Sequence, residues 1–279
     1  MAALEPDPTV DEALRRARAQ GVERLDAIRL LGLVLQRERS WLTAHSEQAL
    51  TSCQVTQFTS LLDRRAAGVP LAYLLGQREF HGLMLRVTPD VLDPRPDTET
   101  LVDWALELVL PNRKGCRVVD LGTGSGAIAL AFKAARPACE VHATDASASA
   151  LNVARGNAES LGLPMLFHEG SWWAALPPMR FDLVLSNPPY IAEGDPHLPA
   201  LVHEPRAALV ADDGGMKDLK AIVEGAASHM SPGGWLLLEH GHTQGPEVAA
   251  LLARAGFAAV GHRHDLAGHV RCTGGRLAG

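Results

Sequence analysis

Arg117-Val118-Val119-Asp120-Leu121-Gly122-Thr123-Gly124-Ser125-Gly126 decides how this chain is read. The short apolar opening predicts a buried strand, and it runs directly into glycines at every second position. Such glycines let a backbone turn sharply and approach a ligand without a Cβ in the way. A helix is expected from about 127 to 136, so the segment reads as strand, glycine loop, helix. Its spacing is not the Gly-x-Gly-x-x-Gly of dinucleotide binding, in which a pyrophosphate sits on the helix N-terminus. Nor does Gly-Lys-Ser/Thr end it, which excludes a nucleoside triphosphate loop.

Working outward, strands are expected at 117–121, 140–144, 164–168, 182–186 and 234–239. Helices are expected near 127–136, 148–161, 217–230 and 246–255. Alternation of this kind predicts an α/β fold with a parallel, doubly wound sheet. Residues 257–273 read as two short strands around Asp265-Leu266-Ala267-Gly268. Upstream, alternating residues on either side of Gly82 in 78–87 predict a β-hairpin. Pro94 and Pro96 demand a stiff, extended stretch before a helix from Thr98. Residues 1–75 read as a small helical bundle. Thr9-Val10-Asp11-Glu12 fits a capping box, Leu25, Ile28, Leu31 and Leu35 recur at helical spacing, and a third helix spans about 51–67. The expected domains are 1–75 helical, 76–95 a β-hairpin linker, and 96–279 catalytic.

Composition narrows the class. Hydrophobic residues make up 47% of the 279 and charged residues 21%, as in a soluble globular protein with a sizeable core. No apolar run reaches the roughly 20 residues needed to cross a bilayer. The start of the chain has no basic-then-apolar pattern of a secretory signal. Cys53, Cys116, Cys139 and Cys272 are scattered, which fits free thiols and a cytoplasmic setting. Net charge is −6, and no basic cluster occurs, which argues against nucleic acid as the main partner. Residues 1–75 carry nine arginines against nine acids, so that part is charge-balanced.

Two features past the loop bear chemistry. Asp145 ends the second strand of the alternating region, 19 residues after Gly126. An acid at about that distance hydrogen-bonds a ribose diol in nucleoside-binding α/β folds, and it can also cap the helix that follows. Ser186-Asn187-Pro188-Pro189-Tyr190 then follows the apolar strand 182–186. Two prolines remove two backbone donors and forbid a continuing helix or central strand. Asn187 offers both a donor and an acceptor, and Tyr190 a flat ring with a polar tip. This rigid, acceptor-rich corner lies where ligands bind in open parallel sheets and suits a planar amide or amine. A plain strand-ending turn has the same composition.

Asp-x-Gly-x-Gly-x-Gly resembles the S-adenosylmethionine loop of class I methyltransferases. Asn-Pro-Pro-Tyr resembles the corner of methyltransferases that act on a planar nitrogen. Along nearly its whole length the chain resembles the peptide chain release factor N(5)-glutamine methyltransferases. Arg64 to Tyr73, Gln77 to Gly82, Pro94-Arg95-Pro96-Asp97-Thr98-Glu99, Asp120 to Gly126, Asp145, Asn187 to Tyr190, Glu204-Pro205-Arg206, Glu239-His240-Gly241 and Asp265 to Gly268 carry that resemblance in order. It implies a seven-stranded class I methyltransferase (Rossmann-like) sheet behind a helical domain that docks the partner. It implies that Gly122, Thr123, Gly124, Ser125, Gly126, Asp145, Trp172 and Asn187 hold S-adenosyl-L-methionine, released as S-adenosyl-L-homocysteine. Trp173 competes with Trp172 for that place. Asn187, Pro188, Pro189 and Tyr190 are implied to bind the substrate, with Asn187, Pro188 and Tyr190 catalytic. The implied substrate is the glutamine of the Gly-Gly-Gln tip of class 1 release factors.

The chain departs from that family at two places. Asp93 stands where an aliphatic residue commonly precedes Pro-Arg-Pro, and Asp212 to Lys217 differs from the usual Asp-Gly-Leu-Asp. Two other functions fit parts of the pattern: an adenine-N6 nucleic-acid methyltransferase, and a non-catalytic S-adenosylmethionine-binding module. The two-apart pairs His240/His242 and His262/His264 lack a third ligand at recognisable spacing, so no metal site is expected.

Overall fold

The computed structural model describes residues 8–111 and 113–279, and the chain divides into two compact units between Gly76 and Gln77. The first unit is helical: α1 (Val10–Ala19), α2 (Arg24–Leu35), α3 (Arg39–Ala44), α4 (Ser52–Ala66) and α5 (Leu71–Leu75). Capping boxes start α1 and α4, where the Thr9 and Thr51 hydroxyls accept from Glu12 N and Gln54 N. Their apolar faces enclose a core that includes Leu30, Leu31, Leu50, Phe58 and Leu62. The short α3 and α5 were not expected, since five or six residues carry too little periodicity to read.

The second unit opens with a hairpin, β1 (Gln77–Phe80) and β2 (Leu83–Arg86), turning at His81-Gly82. A 3-10 turn at Pro96–Thr98 leads into α6 (Glu99–Leu108). There follow β3 (Arg117–Leu121), α7 (Ala127–Ala135), β4 (Glu140–Asp145), α8 (Ala148–Leu161), β5 (Leu166–Glu169) and β6 (Phe181–Ser186). A two-residue pair, β7 (Ile191–Ala192) with β8 (Val210–Ala211), precedes the one-turn α9 (Asp212–Gly215) and α10 (Lys217–His229). The chain ends with β9 (Met230–Glu239), α11 (Gly245–Arg254), β10 (Phe257–His264) and β11 (Val270–Leu277).

Seven strands form one sheet in the order β10-β11-β9-β6-β3-β4-β5. Strands β5, β4, β3, β6 and β9 are mutually parallel, and β11 runs antiparallel to both its neighbours. The sheet is therefore mixed at one edge, because the short turn at 265–269 returns β11 directly alongside β10 where a parallel strand would need a crossover. These last two strands are eight residues each and reach Leu277, longer than alternation suggested. Apolar cores cover both faces, one built on α6 and α7, the other on α10 and α11. The parallel strands are accordingly apolar throughout, as in Val118-Val119 and Leu183-Val184-Leu185.

Register, more than composition, positions the site. Leu121 pairs with Thr144 on one side and Ser186 on the other. The Ser186 hydroxyl also donates to the Leu121 carbonyl at 2.6 Å. The glycine loop, Asp145 and Asn187 thus leave the sheet from a single rung of three adjacent strands.

Gly225 in α10 lies against Trp173, and a Cβ there would stand 2.2 Å from the indole. Gly to Ala inside a helix normally adds about 1 kcal/mol. Here overpacking outweighs that gain, at a typical cost of about 1–3 kcal/mol. Gly225→Ala is expected to lower the melting temperature, read by thermal unfolding; a rise would mean that Trp173 relaxes freely.

Candidate active site

A cavity of about 460 Å³ opens at the carboxyl ends of the parallel strands. Its wall includes Gly122, Thr123, Gly124, Ser125, Asp145, Trp172, Asn187 and Pro189, so most of the residues singled out in the sequence meet at one place. That size is within the ordinary range for small-molecule sites. Gly126, Pro188 and Tyr190 stand outside the wall. A Cβ on Gly126 would press on Leu130 and Ala154 at 3.0 and 3.2 Å, so its smallness serves packing between α7 and α8. Pro188 is buried.

The loop is held by its own backbone. Gly122 N and Thr123 N both donate to the Thr144 carbonyl, at 2.9 and 2.8 Å. Gly124 N donates to Asp145 Oδ2 at 2.9 Å, and Ser147 N donates to Oδ1 at 2.9 Å. Asp145 therefore ties the loop to the start of α8, and each carboxylate oxygen keeps a lone pair for a further donor. Gly124 has a left-handed φ of 56°, and a Cβ on it would meet nothing within 4 Å. Asn157, buried in α8, was not anticipated; it donates to the carbonyls of Ser125 and Arg86 and accepts from Arg86 N. Nothing local marks it, because its partners lie 32 and 71 residues away.

The adjacent tryptophans stand in different surroundings. Trp172 has φ 44°, in the left-handed region that bulky residues rarely adopt. Trp172 lines the cavity, its ring 3.1 Å from where a Gly122 Cβ would stand, and its Nε1 donates to Asp218 at 3.3 Å. Trp173 is 7% exposed in the core and donates to the Ile222 carbonyl at 2.9 Å.

The proline corner is clamped from behind. The Tyr190 carbonyl accepts from Gln244 Nε2 at 3.1 Å. Gly215, φ 88°, passes so close that a Cβ would lie 2.1 Å from the same oxygen. Within the divergent stretch 212–217, that glycine is therefore structural, while Asp212 pairs with Lys217 at the surface. The Tyr190 hydroxyl donates toward Glu239 Oε1 at 3.4 Å, and Asn187 Nδ2 donates to Thr98 Oγ1 at 3.2 Å. Thr98 lines the cavity. Pro94 and Arg95 also line it, opposite Pro205, Ala207 and Ala208. Arg95 pairs with buried Glu204, which accepts from Asp93 N at 3.3 Å and so ties the two segments together. Asp93, the family departure, is buried between Arg78 and Arg95, at 3.6 and 3.8 Å. Burial pushes its carboxyl up, and the two guanidinium groups oppose that rise.

His240 and His262 both reach the Thr273 hydroxyl, at 2.6 and 2.8 Å. Burial holds His240 neutral, with its value lowered to about 4. Among the described residues no group of three or more His, Cys, Asp or Glu is arranged to hold a metal ion.

Burial pushes the carboxyls of Asp120 and Glu239 each up to about 7. A hydrogen bond from Thr123 to Asp120 Oδ2, at 2.6 Å, works against the first shift. Thr98 and Arg271 work against the second. Such a group binds its proton more tightly folded than unfolded, so its stabilising contribution is full at low pH and is lost as pH rises. For Glu239 the window runs from about pH 4.5 to about 7. Glu239→Gln, which cannot titrate, is expected to flatten the fall in unfolding free energy across that window. Urea titrations at stepped pH read it, and an unchanged slope would refute the buried-carboxyl account.

A glycine loop and a strand-end acid on the rim of this seven-stranded sheet define a class I methyltransferase. Residues 101–216 match the methyltransferase small domain and residues 10–76 the PrmC N-terminal domain. The chain is 46% identical to the release factor glutamine methyltransferase of Xylella fastidiosa (strain Temecula1), over 96% of this chain and 98% of that one. It is 45% identical to that of Burkholderia pseudomallei over the full length of both. A 16S rRNA methyltransferase of Thermus thermophilus, solved with AdoMet and guanosine, shares the fold. That match has a TM-score of 0.55 and 21% identity, over 72% of this chain and 49% of the other. The chain belongs to the release factor glutamine methyltransferase family.

Proposed function

We propose that this enzyme transfers a methyl group from S-adenosylmethionine to the side-chain amide nitrogen of a glutamine in a release factor. The glutamine is that of the Gly-Gly-Gln tip of class 1 factors, and the helical unit docks the factor. The reading rests above all on the meeting of Asn187 and Pro189 with the glycine loop and Asp145 in one cavity. The enzyme works in the cytoplasm; among the described residues no helix is long and apolar enough to cross a membrane.

The residues present fit the methyl donor. Gly124 leaves open space where a side chain would stand, and the free lone pairs of Asp145 suit a ribose diol. Trp172 offers a flat wall beside Gly122. When bound, S-adenosylmethionine supplies an electrophilic methyl group on its sulfonium. The chain's own task is positioning. An amide nitrogen is delocalised into its carbonyl and is a weak nucleophile. Asn187 Oδ1 and the Pro188 carbonyl accept its two hydrogens, which orients the lone pair and raises its electron density. The same fixed acceptors stabilise positive charge developing on nitrogen before its proton leaves. Clamping by Gln244 and Gly215 keeps the corner from relaxing as charge builds.

Purified enzyme with tritiated S-adenosylmethionine is expected to label a release factor and leave duplex DNA unlabelled. Label on DNA alone would overturn the assignment in favour of an adenine methyltransferase. Asn187→Ala is expected to cut transfer by more than about 100-fold, the scale of losing one preorganised charge-stabilising group. Cofactor affinity, read by calorimetry, should stay within about tenfold, and undiminished turnover would refute the acceptor role. Trp172→Ala is expected to weaken cofactor affinity with little change in melting temperature. Trp173→Ala should do the reverse, costing about 3 kcal/mol or more of stability.

A further inference from the structure

Trp172 forms a flat wall of the cavity, and an indole in that place needs an anchor. Rotation about χ2 of a tryptophan has broad minima, and φ 44° persists in a bulky residue only where the surroundings impose it. Three points fix the plane of this ring. One is its own Cβ. The second is the benzo edge, where Cζ3 and Cη2 lie 3.1 and 3.5 Å from the place a Gly122 Cβ would take. The third is Nε1, across the ring from Cζ3, which donates to Asp218 Oδ1 at 3.3 Å. Trp172 is only half-buried, so water can serve its N–H, and burial alone does not call for a carboxyl there.

Asp218 is itself firmly placed. It is the second residue of α10 and stands between Met216 and Leu219, both in the core. Three residues earlier, Gly215 packs against the Tyr190 carbonyl. The turn that clamps the proline corner thus also delivers Asp218 to the cavity wall. Nothing local marks this residue, because the indole it meets lies 46 positions away.

We propose that Asp218 is a positioning residue for the methyl donor, acting through Trp172. Its hydrogen bond holds the indole in one orientation beside the glycine loop, so that the cofactor meets a preformed wall. A carboxyl accepts a hydrogen bond in either protonation state, so the anchor does not depend on its charge. Without the anchor the ring is free to swivel about χ2, and binding must order it, which lowers affinity. This inference rests on Trp172 being a wall of the methyl-donor site, and not on which substrate receives the methyl group.

Asp218→Ala is expected to weaken binding of S-adenosylmethionine, read by calorimetry, by about tenfold, the scale of one ordinary hydrogen bond. Asp218→Asn should restore affinity to within about threefold of the parent, because an amide oxygen also accepts. Trp172→Phe keeps a flat ring without the N–H, and in that background Asp218→Ala should cost nothing further. In the enzyme without cofactor, the Trp172 indole N–H resonance, assigned by its loss in Trp172→Phe, should shift in Asp218→Ala and stay near its parent position in Asp218→Asn. Should Asp218→Ala fail to fold, Asp218→Ser replaces it, with a side chain too short to reach the indole. Parent-like affinity and resonance in Asp218→Ala would overturn the proposal. So would an equal loss of affinity in the Trp172→Phe background, since Asp218 would then act independently of the indole. If Trp172→Ala binds the methyl donor as the parent does, the cofactor role of Trp172 fails and the proposal with it; if Asp218→Ala alone does so, only the proposal fails.

Discussion

One rung of backbone pairing carries the site. Leu121, Thr144 and Ser186 stand side by side in three parallel strands, and each next residue begins a functional loop. Parallel register cannot slip by one residue without turning every buried side chain of a strand to the wrong face. With both faces of the sheet covered by apolar helices, such a slip is prohibitive. The packing of Val118, Leu183 and Leu185 against one layer, and of Val119, Val184 and Leu236 against the other, thereby fixes where Gly122, Asp145 and Asn187 emerge. Precision at the cavity is inherited from the core.

Around that rung the protein holds buried polar groups that would be costly in isolation. Asp120 gains the Thr123 hydroxyl, Glu204 gains Arg95 and the Asp93 amide, and Asp265 gains Arg271. Each is an acceptor placed where a loop must be held, and each spans elements distant in sequence or tightens a turn. Asp120 and Glu239 each keep one carboxylate oxygen without a hydrogen-bond partner among the described residues, and the other oxygen of Glu239 faces the Tyr190 hydroxyl.

The glycine loop, the strand–helix alternation and the proline corner were legible because each is a local pattern. Hydrophobic runs predicted the inner strands within about two residues, and Thr9 and Thr51 marked helix starts that the structure keeps. The long β9 was read only from 234, since Pro232, Gly233 and Gly234 interrupt its apolar pattern. Its start, Met230, pairs with Phe181 across an irregular register that no composition rule anticipates. Strand propensity says nothing of direction, so only the pairing shows that β11 runs antiparallel to both β9 and β10. The pair β7 and β8, of two residues each, is beneath any periodic signal.

From its residues alone the chain announced an α/β fold with a glycine loop, a strand-end acid and an acceptor-rich corner, while the methyltransferase reading came from family resemblance. Those follow from nearest-neighbour chemistry: missing Cβ atoms, missing N–H groups and a fixed step along strand or helix. Folding in three dimensions put Trp172 on the cavity wall and Trp173 in the core, packed Gly126 between α7 and α8, and set Thr98 beside Asn187 and Asn157 against the glycine loop. These choices depend on contacts between residues tens of positions apart. Such contacts exist only once strand register and helix packing have set the distances.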